Sequence, residues 1–122
     1  GKPVELQYNL PHQTLSPNEE IHTLQIVREG LANAVKHADA TDITVDVLFE
    51  SPQVRVRIRD NGKGLPGSDQ PVNHYGLIIM QDRARTLGGK VEVSNRDEGG
   101  VEVSLGFVPK SRNLIPTEAS NA

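Results

Sequence analysis

Near the middle of its first half, the chain carries an acid, an amide and two bases at helical spacing: Glu29, Asn33, Lys36 and His37. At about 100° per residue, these side chains lie within about 100° of one another on a helix. A carboxylate can accept a proton, an amide oxygen can ligate a hard cation, and an ammonium can bind phosphate. A magnesium–triphosphate group requires this set, although such a polar arc is more often just the solvated face of a helix.

A second group follows a segment with strand-like alternation, at residues 60–64 (DNGKG). An aspartate fixed at a strand end, here Asp60, can accept a hydrogen bond from an exocyclic amine. Gly62 and Gly64 would let a flat ring or a phosphate approach the backbone. Taken alone, the pattern is more often a turn. Residues 62–67 also match GxGxxG, but Pro66 opposes the helix that a dinucleotide fingerprint requires.

A third group opens the second predicted helix and consists of His74, Tyr75, Gly76 and Leu77. The amide groups of a helix N-terminus are not bonded within the helix, so they can meet an anion.

The composition restricts the function further. The 122 residues include no cysteine and have a formal net charge of −3, which excludes disulfides and thiolate zinc sites and leaves no cationic field for nucleic acid or anionic lipid. No apolar run approaches the roughly 20 residues that cross a bilayer. The first residue is Gly1 rather than Met, so we expect a piece of a longer protein.

The elements that must position these groups are predicted from periodicity and caps. A strand over residues 4–8 should be half-buried, and a helix over 17–38 begins at a capping box formed by Ser16 and Glu19. Its core face is predicted to carry Leu24, Val27, Leu31, Ala34, Val35 and Ala38. The next predicted elements are a hairpin over 43–48 and 54–59 and a loop over 61–75. They are followed by a helix over 76–87, which a glycine pair ends, and by strands over 90–94 and 101–108.

This order predicts an α/β (α+β) two-layer sandwich, with helices on one face of a mixed β-sheet. We expect residues 1–109 to form the domain and residues 110–122 to be a disordered tail.

The combination of motifs resembles a known family. Residues 28–38 (REGLANAVKHA) resemble the N box of histidine-kinase ATP-binding domains, and residues 60–64 resemble their first glycine box. Residues 74–84 (HYGLIIMQDRA) resemble the second glycine box, in the short-lid form of the nitrate/nitrite sensor kinases. Residues 99–103 (GGVEV) resemble the final glycine turn. The resemblance implies the Bergerat ATP-binding fold of the GHKL family, with residues 65–75 as a short ATP lid.

The resemblance also implies a role for each matching residue. Asn33 would ligate Mg²⁺, Glu29 would be the catalytic or water-orienting carboxylate, and Lys36 and His37 would face the phosphates of ATP. Asp60 would hold the adenine amino group. The remaining positions implied to line the nucleotide site are Gly62, Gly64, His74, Tyr75, Gly76 and Leu77. Where the family commonly has a threonine this chain has Val101, so one hydroxyl near Asp60 is lost.

The whole-protein function implied is that of a two-component sensor histidine kinase. In such a kinase, the γ-phosphoryl group of ATP passes to a histidine on a dimerisation helix and then to a response regulator. The 122 residues contain no phosphoacceptor motif. The resemblance further implies a homodimeric, inner-membrane-anchored sensor whose ATP-binding domain is cytoplasmic and contacts neither nucleic acid nor membrane. Two alternatives stay open: a serine kinase or ATPase switch of the anti-sigma-factor type, and a catalytically silent nucleotide-binding module.

Overall fold

The computed structural model describes residues 4–37, 41–63 and 74–110. In these ranges the elements are, in chain order, β1 (Val4–Asn9), α1 (Pro17–His37), β2 (Ile43–Glu50), β3 (Gln53–Asp60), α2 (His74–Thr86), β4 (Lys90–Asn95) and β5 (Val101–Phe107). The strands form one sheet in the order β1-β2-β3-β5-β4, in which β1 and β2 are parallel and the other neighbours antiparallel. The predicted α/β sandwich on a mixed sheet is confirmed.

The core lies between the sheet and the two helices. Strand register aligns apolar residues in rows across the sheet; one row contains Val45, Ile58 and Val103. Because side chains alternate between the faces of a strand, such rows make one face of the sheet apolar. Both helices pack on this face and against each other. The helices contribute the buried apolar residues Ile26, Ala34, Met80 and Ala84, and buried Leu87 directly follows α2.

Helix α1 begins at the predicted capping box. The Glu19 N–H donates to Ser16 Oγ at 3.1 Å, and the Ser16 N–H donates to Glu19 Oε1 at 2.8 Å. This reciprocal pair satisfies two backbone donors that the first turn leaves unpaired. The helix extends to His37, and its predicted last residue, Ala38, lies outside the described ranges.

The predicted core face of α1 is partly wrong. Leu24 and Val35 are 59% and 53% exposed, whereas Gly30 is buried. A Cβ at Gly30 would lie 3.1 Å from Ile58 Cδ1 on β3. The helix therefore approaches the sheet closely at a small residue, and not all of its larger apolar side chains are covered.

Strand β1 is exposed along its whole length, which corrects the prediction of a half-buried strand. Its apolar residues Val4, Leu6 and Tyr8 lie in register with the buried residues Ile43, Val45 and Val47, on the helix-facing side of the sheet. However, α1 packs over β3 and β2, while α2 packs over β4. An edge strand beyond the reach of both helices keeps its apolar side chains in water.

The predicted hairpin and helix end are confirmed. Ser51 and Pro52 connect β2 to β3. Helix α2 is followed by Gly88, whose φ is +76°, and the Gly89 N–H donates to the Ala84 carbonyl oxygen at 2.8 Å. A left-handed glycine closing a helix in this way is the usual C-cap. The helix itself begins at His74, two residues before the predicted start. Within the described ranges, neither helix is long and apolar enough to span a membrane.

Candidate functional site

One asparagine joins the end of β3 to the segment that leads into β2. Asn61 Oδ1 accepts hydrogen bonds from the N–H groups of Thr41 and Asp42, both at 2.9 Å, and Asn61 Nδ2 donates to Thr41 Oγ1 at 2.9 Å. Thr41 and Asp42 lead into β2, shortly after α1 ends. The first two sequence motifs therefore lie at the same end of the sheet.

The third motif lies at this end too. His22, in the first half of α1, contacts Arg83, near the end of α2, with 3.1 Å between Nδ1 and Nη1. Because the two helices pack against each other and their opposite ends meet in this way, they run antiparallel. The start of α2, which includes Gly76 and Leu77, is therefore on the side of the second half of α1, where Asn33 lies.

Asp60 is the best-defined functional candidate. Its side chain is buried, with the residue only 5% exposed. Its Oδ1 accepts hydrogen bonds from the Gly62 N–H at 2.9 Å and from the Val101 N–H at 3.2 Å. Among the residues that the structure describes, no donor is bonded to Oδ2. The carboxylate is thus held by one oxygen and can offer the other to a hydrogen-bond donor of a ligand.

Val101 modifies the expectation of a lost contact. The side-chain hydroxyl that the resemblance calls for is absent, but the backbone N–H of Val101 donates to Asp60 directly. Any residue except proline can make this bond. A substitution at this position therefore preserves one anchor of the carboxylate.

The turn between β4 and β5 closes over Asp60. Gly100 has φ +96°, and a Cβ placed on it would overlap the Asp60 carbonyl group. Only glycine fits both this conformation and this approach. Arg96, at the start of the turn, donates from Nη1 to the Asp60 carbonyl oxygen at 2.7 Å. The sequence motifs include the turn glycines but miss Arg96, since nothing local distinguishes it from other surface arginines.

Glu29 and Asn33 lie one turn apart on a half-buried flank of α1. Gly30 fixes this part of α1 against Ile58, two residues before Asp60 on the same face of β3. Glu29 has no ion-pair or hydrogen-bond partner within the described residues. A carboxylate and an amide are thus held near the Asp60 end of the sheet, where they can bind cations or orient water.

The remaining predicted site residues lie at helix ends, after β3 or outside the described residues. Lys36 and His37 are the last two residues of α1, and His74 and Tyr75 are the first two of α2. Gly62 lies two residues after the end of β3, and its N–H donates to Asp60 Oδ1. Gly64 and most of the predicted lid lie outside the described residues.

Comparison with protein families gives a match to the model described as histidine kinase-, DNA gyrase B-, and HSP90-like ATPase, over residues 18–112. All three motif regions fall within these bounds. Among individual proteins, the nitrate/nitrite sensor protein NarX of Escherichia coli (strain K12) is 44% identical over 110 residues, which cover 90% of this chain. The aligned part is 18% of NarX, so the chain spans less than a fifth of this relative.

Solved structures share the fold. The blue-light activated histidine kinase EL346 of Erythrobacter litoralis superposes with a TM-score of 0.71 at 23% identity, covering 90% of this chain and 36% of that one. The ATP binding domain of PrrB from Mycobacterium tuberculosis superposes with a TM-score of 0.64 at 24% identity, covering 88% and 82%. At these identities the likeness shows the fold alone.

Proposed function

The chain belongs to the histidine kinase-, DNA gyrase B- and HSP90-like ATPase family, and on this premise we propose that it binds Mg-ATP as the catalytic domain of a sensor histidine kinase. In this proposal the γ-phosphoryl group passes to a histidine on a dimerisation helix outside these 122 residues. The observation that carries the proposal is the geometry of Asp60, a buried carboxylate with one oxygen fixed and one available.

At the base end of the site, Asp60 Oδ2 accepts a hydrogen bond from the exocyclic amine of adenine. Burial makes this contact selective, because a ligand that brings no donor leaves a desolvated carboxylate oxygen unpaired. Gly62 lies two residues after Asp60 and has no side chain, so it leaves room for the flat ring.

At the phosphate end, Asn33 supplies an oxygen to Mg²⁺ and Glu29 orients or deprotonates the attacking group. The donor set fits this metal, because an amide oxygen and a carboxylate are hard oxygen ligands. Within the described residues, no group of three or more His, Cys, Asp or Glu side chains could hold a metal ion. Mg²⁺ does not require one, since it commonly takes one or two protein ligands and completes its shell with water and phosphate oxygens. When bound, it neutralises charge on those oxygens.

The other phosphate contacts come from helix ends. The first turn of α2, which begins at His74 and includes Gly76 and Leu77, faces the phosphates in this proposal. Lys36, His37 and His74 supply positive charge or donors, and Gly64 and Tyr75 complete the nucleotide pocket.

The likeness to NarX supports nitrate/nitrite sensing as the parent protein's task. We extend the proposal to a homodimeric sensor anchored in the inner membrane, with this domain in the cytoplasm and a response regulator as its final phosphoacceptor. Its rivals are a serine kinase switch of the same fold and a silent nucleotide-binding module. Acid-labile phosphate on the parent kinase's dimerisation helix supports histidine transfer, whereas acid-stable phosphate or none favours the rivals.

Isothermal titration tests the assignment of Asp60 and Asn33. Asp60→Asn should weaken the binding of ADP by roughly tenfold or more, with and without Mg²⁺. An amide has only one acceptor oxygen, so it cannot both accept from the backbone N–H groups and accept from adenine. Asn33→Ala should weaken ADP only when Mg²⁺ is present.

Asp97→Asn is the matched control, since it makes the same change on an exposed residue of the nearby turn and should leave ADP affinity unchanged. Absence of ADP binding by the unaltered chain would refute the proposal. Equal, metal-independent losses in the Asp60 and Asn33 variants would refute the division into a base end and a metal end.

A further inference from the structure

The turn between β4 and β5 does more than connect two strands. We propose that Arg96 is a positioning residue for recognition of the adenine amine: it holds the backbone of Asp60 so that the carboxylate keeps its orientation. This inference rests on the proposed function, because it assigns Asp60 Oδ2 to the ligand.

Asp60 occupies a place where the regular pairing of β3 with β5 has ended. The last aligned pair is Arg59 with Glu102. At the next position, the Val101 N–H donates to the side chain of Asp60 instead of to a backbone carbonyl. The Asp60 carbonyl oxygen therefore needs a donor from elsewhere, and Arg96 Nη1 supplies it at 2.7 Å.

The guanidinium is well suited to this position. The Arg96 side chain is 23% exposed, and its Nη2 lies 3.7 Å from Glu98 Oε1 within the same turn. The turn is also closed by its own backbone, since the Arg96 N–H donates to the Gly100 carbonyl oxygen at 2.9 Å. Arg96 thereby connects the fold of the turn to the backbone of Asp60.

The consequence concerns the direction of the carboxylate. Val101 follows Gly100, so the donor to Asp60 Oδ1 is carried by the turn that Arg96 fixes. Without the guanidinium, the carbonyl loses its partner and the turn loses its attachment to β3. The carboxylate then keeps only the bond from the Gly62 N–H. It is less restricted about χ2, so Oδ2 points less consistently at the ligand.

Two ligands separate this role from a general structural one. ADP carries the exocyclic amine, and purine riboside 5′-diphosphate has the same ring, ribose and phosphates without it. Arg96→Met removes the donors but keeps most of the side-chain length. It should weaken ADP by about tenfold and the purine analogue by less than about twofold, as expected for loss of one charge-assisted hydrogen bond acting on one contact.

Arg96→Lys keeps a charged donor group, and its affinity for ADP should fall by only about threefold. Glu98→Gln is the matched control in the same turn, because it removes the negative charge beside Nη2 and leaves the bond to Asp60. Both affinities should stay at the wild-type value. Should Arg96→Met not fold, Arg96→Lys titrated with the same two ligands decides the matter.

Equal weakening of both ligands, or of neither, overturns the proposal. Wild-type affinity that is the same for ADP and the purine analogue overturns it as well, since the amine would then not be recognised. A wild-type chain that binds neither ligand instead refutes the proposed function itself, which distinguishes the two failures.

Discussion

Two buried carboxylates, at opposite ends of the sheet, are held by backbone amides in different ways. Glu19, 7% exposed, accepts from the Ser16 N–H on Oε1 and from the Lys110 N–H on Oε2, each at 2.8 Å. Asp60, 5% exposed, accepts two N–H groups on Oδ1 and none on Oδ2 within the described residues. Burial, charge and type of donor are alike, and only the distribution of donors over the two oxygens differs.

This difference separates a structural carboxylate from a candidate binding carboxylate. Both oxygens of Glu19 accept hydrogen bonds within the fold, and the carboxylate thereby connects the chain after β5 to the start of α1. Asp60 obtains the same anchoring from one oxygen, so the second remains for a ligand. A buried carboxylate therefore indicates a binding site when its fixed geometry leaves acceptor capacity unused.

The largest effect should come from changing the turn over Asp60. Gly100→Ala adds a Cβ that overlaps the Asp60 carbonyl at a positive φ, and should cost at least about 3 kcal/mol of unfolding free energy and abolish ADP binding. Gly99→Ala is its control, because Gly99 has φ +103° but open space around its Cβ position. We expect it to cost only about 1 kcal/mol. Urea denaturation measures both, and similar losses would show that the close approach to Asp60 is unimportant.

A smaller effect, confined to stability, is expected at the other carboxylate. Glu19→Gln places an NH₂ group against a backbone N–H and should lower the unfolding free energy by about 2 kcal/mol. ADP affinity should not change, since Glu19 lies at the opposite end of the sheet. Glu20→Gln, on the exposed neighbour, should cost no more than about 0.5 kcal/mol. Loss of ADP affinity in Glu19→Gln without a loss of stability would contradict the comparison.

Sequence reasoning could predict what is local in these two sites. The bond between Ser16 and Glu19 spans three residues and follows from a capping box, but the bond from Lys110 spans 91 residues and has no local signal. Asp60 is predicted from its place at a strand end. Its anchors Arg96 and Val101, by contrast, depend on how two strands are paired.

The two errors in the fold have the same origin. The predicted core face of α1 follows side-chain apolarity, which favours Leu24, whereas Leu24 is exposed and the small residue Gly30 packs against the sheet. The alternation in β1 correctly gives a strand but not its position at the edge of the sheet. Periodicity indicates which side chains prefer burial, and the packing of distant elements decides which ones obtain it.

The smallest effect sharpens the criterion by testing a buried polar atom far from the site. Thr23 is one turn after Glu19 and 5% exposed, and its Oγ1 has no hydrogen-bond partner among the described residues. Unlike Asp60 Oδ2, the unpaired Thr23 Oγ1 is fully buried, so no ligand can use it. We therefore expect this atom only to lower the stability of the fold. Thr23→Val replaces the hydroxyl with a methyl of similar size and should raise the unfolding free energy by about 1 kcal/mol, with ADP affinity unchanged.

Thr23→Ala separates the hydroxyl from the packing of the side chain, because it removes both the oxygen and the methyl group. It should be less stable than Thr23→Val by about 2 kcal/mol, because alanine lacks both γ-methyl groups that valine would pack into the core. Urea denaturation of the two variants beside the unaltered chain gives both differences. A Thr23→Val variant less stable than the unaltered chain would show that the hydroxyl has a partner in solution, such as a buried water. Unused acceptor capacity would then have to be counted with water included before it could distinguish Asp60 from Glu19.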